Sequence, residues 1–192
     1  MEYKIDIELY KKMCDVEDRE EELRKYSDYF LLYNFSSARK NLYDWYDFDK
    51  NASLLEIGSQ CGALTEYFAT RVKKVLSVER NKEKREINEY RNRDNKNVEI
   101  VDLDSFDFNT RKRFNYIILT GTLEEVEAYH SEGNKIDNDL DFMVRLKKLL
   151  KEGGKLFLAT TNKMGLAYLA GITDPIQGKP FSGLEGKRNL YT

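Results

Sequence analysis

From Ser53 onward the chain alternates short apolar runs with longer amphipathic stretches. The runs are SLLEI (53–57), KVLSV (74–78), VEIV (98–101), NYIIL (115–119) and KLFLAT (155–160), each the length of a strand. Between them lie ALTEYFATR (63–71), KEKREINEYRNR (82–93) and DLDFMVRLKKLL (139–150), each long enough for a helix. Continuously apolar strands alternating with helices predict βαβ units, hence an α/β fold whose parallel sheet is covered on both faces. KEGG (151–154) is expected to stop a helix at its glycines and launch the last strand.

Before Ser53 the pattern is different. Roughly Glu17 to Trp45 reads as helical, charged at EDREEELRK and then aromatic through Tyr29, Phe30 and Tyr33. A break near Asn34–Ser37 offers Ser36 as an N-cap, and Leu42 and Trp45 would then share one helical face. The reading is a helical segment over 1–50 followed by a doubly wound, Rossmann-like domain over 51–192.

Composition narrows the function classes. With 41% hydrophobic and 34% charged residues the chain is globular, and 13 Tyr and 10 Phe predict an aromatic core. The apolar runs are far shorter than a membrane span, and MEYKIDIELY is acidic and alternating, without a signal-peptide core. Two cysteines, Cys14 and Cys61, make no disulfide framework and suit a reducing cytoplasm. A single histidine, His130, leaves no basis for a His-based metal site, and a net charge of −2 gives no bulk attraction for nucleic acid. Lys82–Arg93 mixes bases with acids and reads as a solvated helix face.

In such sheets ligands sit beyond the carboxyl ends of the strands, where strand order reverses. The first of these ends is LLEIGSQCGALT (54–65), a strand running into a glycine turn. As a dinucleotide fingerprint, G-x-G-x-x-G, it keeps Gly58 but has Gln60 at the second glycine and Ala63 at the third. As E/D-x-G-x-G-x-G it keeps Glu56, Gly58 and Gly62, and only Gln60 departs. Glu79 lies 21 residues after Gly58 at the end of the second strand, where a carboxylate accepts ribose hydroxyls. Asp102 ends the third strand, within reach of an adenine amino group. Acids at strand ends also cap loops and pair with neighbours such as Arg80 or Lys82, so each alone says little.

The order of these motifs resembles the class I S-adenosylmethionine-dependent methyltransferases, and within them a bacterial group associated with glycosyltransferases and polysaccharide synthesis. The likeness runs over roughly 27–186: Arg39, Asn41, Leu42 and Trp45 as R-x-N-L-x-x-W, LLEIGSQCGALT including Cys61, ILTGTLE (118–124), NKMGLAYLAG (162–171) and FSGLEG (181–186). The resemblance implies S-adenosylmethionine as cofactor and methyl transfer to a sugar hydroxyl or related small or glycan acceptor. It further implies that backbone around Gly58, Gln60 and Gly62 lies against the methionine end, with Glu56 reaching its amino group. Glu79 would hold the ribose, Asp102 and Leu103 the adenine, and Thr120 and Gly121 the floor beside the sulfonium. His130 and Asn162 are the candidates for acceptor chemistry.

Gln60, at a position that favours glycine, is one departure from that pattern. Others are Ile176 and Gln177, where the group carries a His-Thr pair, and Thr161, where an acid precedes the asparagine matched by Asn162. They leave open a second reading, a scaffold module beside a glycosyltransferase with weak or no cofactor binding. An NAD-dependent oxidoreductase is a third, without a Tyr-x-x-x-Lys proton donor to support it. The family's reversed C-terminal hairpin has no sequence left after the fifth strand, so the chain is expected to be a piece of a longer protein lacking that hairpin.

Overall fold

The computed structural model describes residues 5–122, 139–160, 162, 165–173 and 179–181. Its centre is a five-stranded, all-parallel sheet of order β3-β2-β1-β4-β5. The strands are β1 (Ser53–Ile57), β2 (Lys74–Glu79), β3 (Val98–Asp102), β4 (Phe114–Thr120) and β5 (Leu150–Ala159). Helices α4 (Ala63–Ala69), α5 (Lys82–Arg91) and α6 (Asp139–Leu149) connect or precede them as the hydrophobic pattern predicts. This is the Rossmann-like architecture read from the sequence.

Alternation along each strand builds two cores. Leu55, Ile57, Leu76, Val78, Ile117 and Leu119 face Phe142, Leu146 and Leu149 of α6. Their neighbours Leu54, Val75, Tyr116 and Ile118 face Leu64, Tyr67 and Phe68 of α4. Both faces are therefore dry, which is why these strands read as continuous apolar runs. The second core is aromatic, as the composition predicts: Phe48 meets Phe68 and Tyr116 edge-on at centroid distances of 5.3 and 5.1 Å.

Because β1 lies between β2 and β4, the chain must cross back over β1 after β3, and strand order reverses between β1 and β4. The register brings the carboxyl ends level, with Ile57 opposite both Val78 and Leu119, and Glu79 opposite Asp102.

Four sequence expectations need correction. Glu17–Trp45 is three elements rather than one helix: α2 (Arg19–Leu23), α3 (Tyr29–Phe35) and a 3-10 helix over Ser37–Leu42. Asp28 causes one break, since its carboxylate accepts from the backbone amides of Phe30 and Leu31 and caps a new helix. Ser36 does cap the 3-10 helix, but that helix ends at Leu42, so Leu42 and Trp45 share no helical face and are 44% and 72% exposed. Ahead of these, within the segment read as helical, α1 (Ile7–Asp15) is capped by Asp6, and its Tyr10, Met13 and Cys14 pack with Cys61 and Ile87. The supposed solvated helix α5 buries Ile87 and Asn88 and leaves only 4% of the Arg91 side chain exposed. Finally, α6 ends at Leu149, before the glycines; Gly153, at φ +69°, sits where the β4–β5 register slips.

Candidate functional site

The turn between β1 and α4 runs through three residues at positive φ: Gly58 (74°), Gln60 (53°) and Gly62 (78°). Gln60 thus adopts the left-handed conformation that the sequence pattern assigns to glycine, at a cost of roughly 1–2 kcal/mol. The amides of Gly58 and Ser59 donate to the Val78 carbonyl at 2.9 and 3.3 Å, folding the turn back over the end of β2. There the Gln60 amide donates to Glu79 Oε2 at 2.7 Å, and the Asn81 amide donates to Glu79 Oε1 at 2.9 Å. Glu79 is 5% exposed and directed at the turn rather than lying out on the surface.

Beneath the turn is a buried polar network for which the sequence pattern gave no signal. Thr65 Oγ1 donates to Glu56 Oε2 at 2.6 Å, and the Asn88 side-chain amide donates to Ser59 Oγ, Thr65 Oγ1 and Ser77 Oγ. Asn92 Nδ2 donates to Asn88 Oδ1 at 2.8 Å, so α5 is tied to the turn from below. Ser77 and Glu56 are opposite one another in the β1–β2 register, which places both on the α4 face of the sheet.

Burial pushes the Glu56 carboxyl up to about 7, and neither the Thr65 hydrogen bond nor the charge of Arg39 offsets it. An acid whose folded pKa is raised favours folding below its unfolded value and loses that contribution as pH rises through the folded one. Glu56 should therefore make the fold less stable between about pH 4.5 and 7. The shift corresponds to roughly 3–4 kcal/mol. Glu56→Gln is expected to flatten that slope and raise the melting temperature at pH 8; an unchanged slope in a pH series of thermal melts would remove the buried charge as its cause.

The other strand ends divide between engaged and core positions. Asp102 accepts from the Asp104 amide at 2.9 Å and pairs with Arg85 at 2.8 Å, while Leu103 is 3% exposed and part of the α6-side core. Thr120 Oγ1 and Tyr43 Oη share a hydrogen bond of 2.7 Å, and Gly121, at φ +70°, donates its amide to the Ala159 carbonyl. Thr122 Oγ1 donates to the Ile57 carbonyl at 2.7 Å, tying β4 to β1 at the reversal of strand order. Tyr43, absent from the sequence-derived set, is buried, and that burial pushes its hydroxyl up to about 12. Cys61 is fully buried in the core cluster with Tyr10, Met13 and Ile87, and that burial pushes its thiol up to about 12, as befits a packing residue.

The structure thus brings Glu56, Gly58, Gln60, Gly62 and Glu79 together around one turn, with Thr120 and Gly121 across the β1–β4 boundary. Asn162 is exposed beyond β5, its carbonyl accepting from the Gly165 amide at 2.9 Å. His130, Thr161, Ile176 and Gln177 lie outside the described residues. Among the described residues no cluster of three or more His, Cys, Asp or Glu could hold a metal, and no helix is long and apolar enough to cross a membrane.

A family model described as a methyltransferase domain matches residues 16–189. No curated protein matches the sequence. Among solved structures, a complex titled DhpI-SAH superposes with a TM-score of 0.52 at 18% identity, over 81% of this chain and 68% of that one. A SAM-dependent methyltransferase from Aquifex aeolicus gives 0.51 at 18% identity, over 84% and 76%. A putative methyltransferase from Bacillus halodurans gives 0.52 at 19%, over 79% and 68%. For four further structures the match spans only 35% to 61% of the other chain. At these identities the likeness is one of fold.

Proposed function

The chain belongs to the methyltransferase domain family, and from that premise we propose that it is a class I S-adenosylmethionine-dependent methyltransferase. One observation carries the reading: the buried Glu79 carboxylate at the end of β2 lies 2.7 Å from the Gln60 amide in the positive-φ turn after β1. An acceptor-only carboxylate beside a glycine turn at the end of the second strand is the acceptor that the ribose hydroxyls of a nucleoside require.

In this assignment Gly58, Gln60 and Gly62 present backbone to the methionine end, and Glu56 orients the amino group. Glu79 accepts the ribose hydroxyls. Asp102 and the Leu103 backbone bound the adenine, with Arg85 holding the Asp102 carboxylate in place. Thr120, fixed by Tyr43, and Gly121 form the floor beside the reacting carbon. The bound cofactor supplies an electrophilic methyl group, so the protein's part is orientation and exclusion of water. The acceptor we assign is a sugar hydroxyl or related small acceptor, with a glycosyltransferase as partner. The Arg39–Asn41–Leu42–Trp45 motif supports that assignment.

Calorimetric titration with S-adenosylmethionine and S-adenosylhomocysteine tests the reading. Micromolar binding by the native chain is expected, with Gln60→Gly binding at least as tightly because the strained position is relieved. Binding by neither protein would end the methyltransferase reading. Binding by the variant alone would show that Gln60 closes the site and would favour the scaffold alternative.

A further inference from the structure

β5 is the outermost strand of the sheet, and among the described residues no strand pairs with the side turned away from β4. The other edge, β3, carries the exposed Glu99, a charge that discourages a further strand. The stretch Leu156–Ala159 of β5 has no charge, proline or glycine. The direction of its backbone groups follows from one bond. The Gly121 amide donates to the Ala159 carbonyl at 2.8 Å, so Ala159 turns its backbone toward β4. That direction alternates along a strand. Phe157 and Lys155 therefore also face β4, while Leu156 and Leu158 hold their N–H and C=O groups out at the open edge.

Both faces of the sheet stay apolar up to this rim. Leu156 packs on the α6-side core and Phe157 on the α4-side core. By alternation Leu158 lies on the α6 side, where it is 44% exposed. Trp45, whose ring lies 6.2 Å from that of Phe157, is 72% exposed, and its Nε1 donates to the Leu42 carbonyl at 2.8 Å, which fixes the ring at the surface. An edge strand with free backbone groups and apolar side chains on both faces is a template for one more strand.

We propose that the chain dimerises through this edge, with β5 pairing antiparallel to β5 of a second copy about a twofold axis at Phe157. The second copy is the occupant because the strand complements itself. In this register Leu156 exchanges both its backbone bonds with the second copy's Leu158, and Leu158 does so with the second copy's Leu156. All the outward groups of the two leucines are thereby used, and the two Phe157 residues form the close, non-hydrogen-bonded pair between them. Side chains agree with the backbone. Leucine meets leucine on the α6 side, and phenylalanine meets phenylalanine on the α4 side, each backed by its own Trp45. Lys155 falls opposite the second copy's Ala159, so like charges are kept apart. The contact is isologous and closes at two copies.

Sedimentation velocity over a wide concentration range, with amide hydrogen exchange on the same samples, tests the dimer. The native chain should sediment as a dimer that dissociates on dilution. Its Leu156 and Leu158 amides should exchange slowly in the dimer and fast in the monomer, with the Phe157 amide slow in both because it bonds to β4. Leu158→Lys puts a charge on the rim and should weaken the dimer about 10- to 100-fold. Leu158→Pro removes an outward N–H without touching the β4 ladder and should weaken it too. Leu140→Lys, on α6 and 72% exposed, is the control and should leave the dissociation constant unchanged. A native chain that is monomeric at every concentration overturns the proposal. So does a dimer whose Leu156 and Leu158 amides exchange as fast as in the monomer, or one that Leu158→Lys spares. The exchange measurement uses the native chain alone, so it decides the matter even if a variant fails to fold.

Discussion

Gly62→Ala is expected to cost about 2–5 kcal/mol, combining left-handed backbone strain with overpacking of a filled site. The glycine sits at φ +78°, and an added Cβ would lie 2.2 Å from Asn88 Oδ1 and 2.9 Å from Asn92 Nδ2. Neither neighbour can simply turn aside. Asn88 is fully buried and holds three hydroxyls with its amide nitrogen, so moving it breaks the network that ties α5 to the turn. Gly153 is the internal control, at a similar φ of +69° but with nothing within 4 Å of its Cβ position. Gly153→Ala should cost only the backbone share, about 1–2 kcal/mol. Urea denaturation of both variants reads the difference. Equal losses would mean that Asn88 yields readily and that the glycine is there for its dihedral alone.

That comparison also marks the limit of what the sequence disclosed. Glu56, Gly58 and Gly62 were visible in a short motif because backbone geometry in a tight turn restricts residue type at fixed offsets. Gln60 was visible as the residue that breaks the motif, and its φ of +53° is the conformation that the motif reserves for glycine there. The five strands were equally plain, since a sheet buried on both faces must be apolar along its length. What the sequence hid is polar and long-range. Asn88 and Arg91 sit in a stretch, KEKREINEYR, whose charge pattern looks solvated. Asn88 is buried against the turn after β1, α4 and β2, and Arg91 against Glu66 and the end of α3, contacts that span from 11 to 57 positions of chain. Tyr43 bonds to Thr120 across 77 positions of chain, a pairing that no local pattern encodes. In the N-terminal segment the caps at Asp6, Asp18 and Asp28 decided the boundaries, and these outweighed a helical composition spread over Glu17–Trp45.

The same hidden packing sets the second large effect. Glu66, in the first turn of α4, accepts from Arg19 at 2.7 and 3.1 Å and from Arg91 at 2.8 Å, and Arg91 also reaches the Asn34 carbonyl. One carboxylate therefore joins α2, α4, α5 and the end of α3. Burial alone would push the Glu66 carboxyl up, but hydrogen bonds and charge from the two guanidiniums hold it below its ordinary range. The ion pairs need not exceed the cost of desolvating three charges. Removing the middle one is another matter, because it leaves two cations facing each other with Arg91 almost sealed from water at 4% side-chain exposure. Glu66→Ala should cost about 3–4 kcal/mol, the lower part of the range for a broken buried pair, since about a third of Glu66 still sees water. Glu66→Gln should cost less, because it keeps an acceptor for one guanidinium. A depressed carboxyl contributes stability that is present above its unfolded pKa and is lost as pH falls through the folded one. The native chain should therefore lose this contribution below about pH 4.5, and the two variants should converge on it there. Thermal melts from pH 3 to 7 would show that convergence. A constant gap between native and Glu66→Ala across the range would assign the loss to packing rather than to charge.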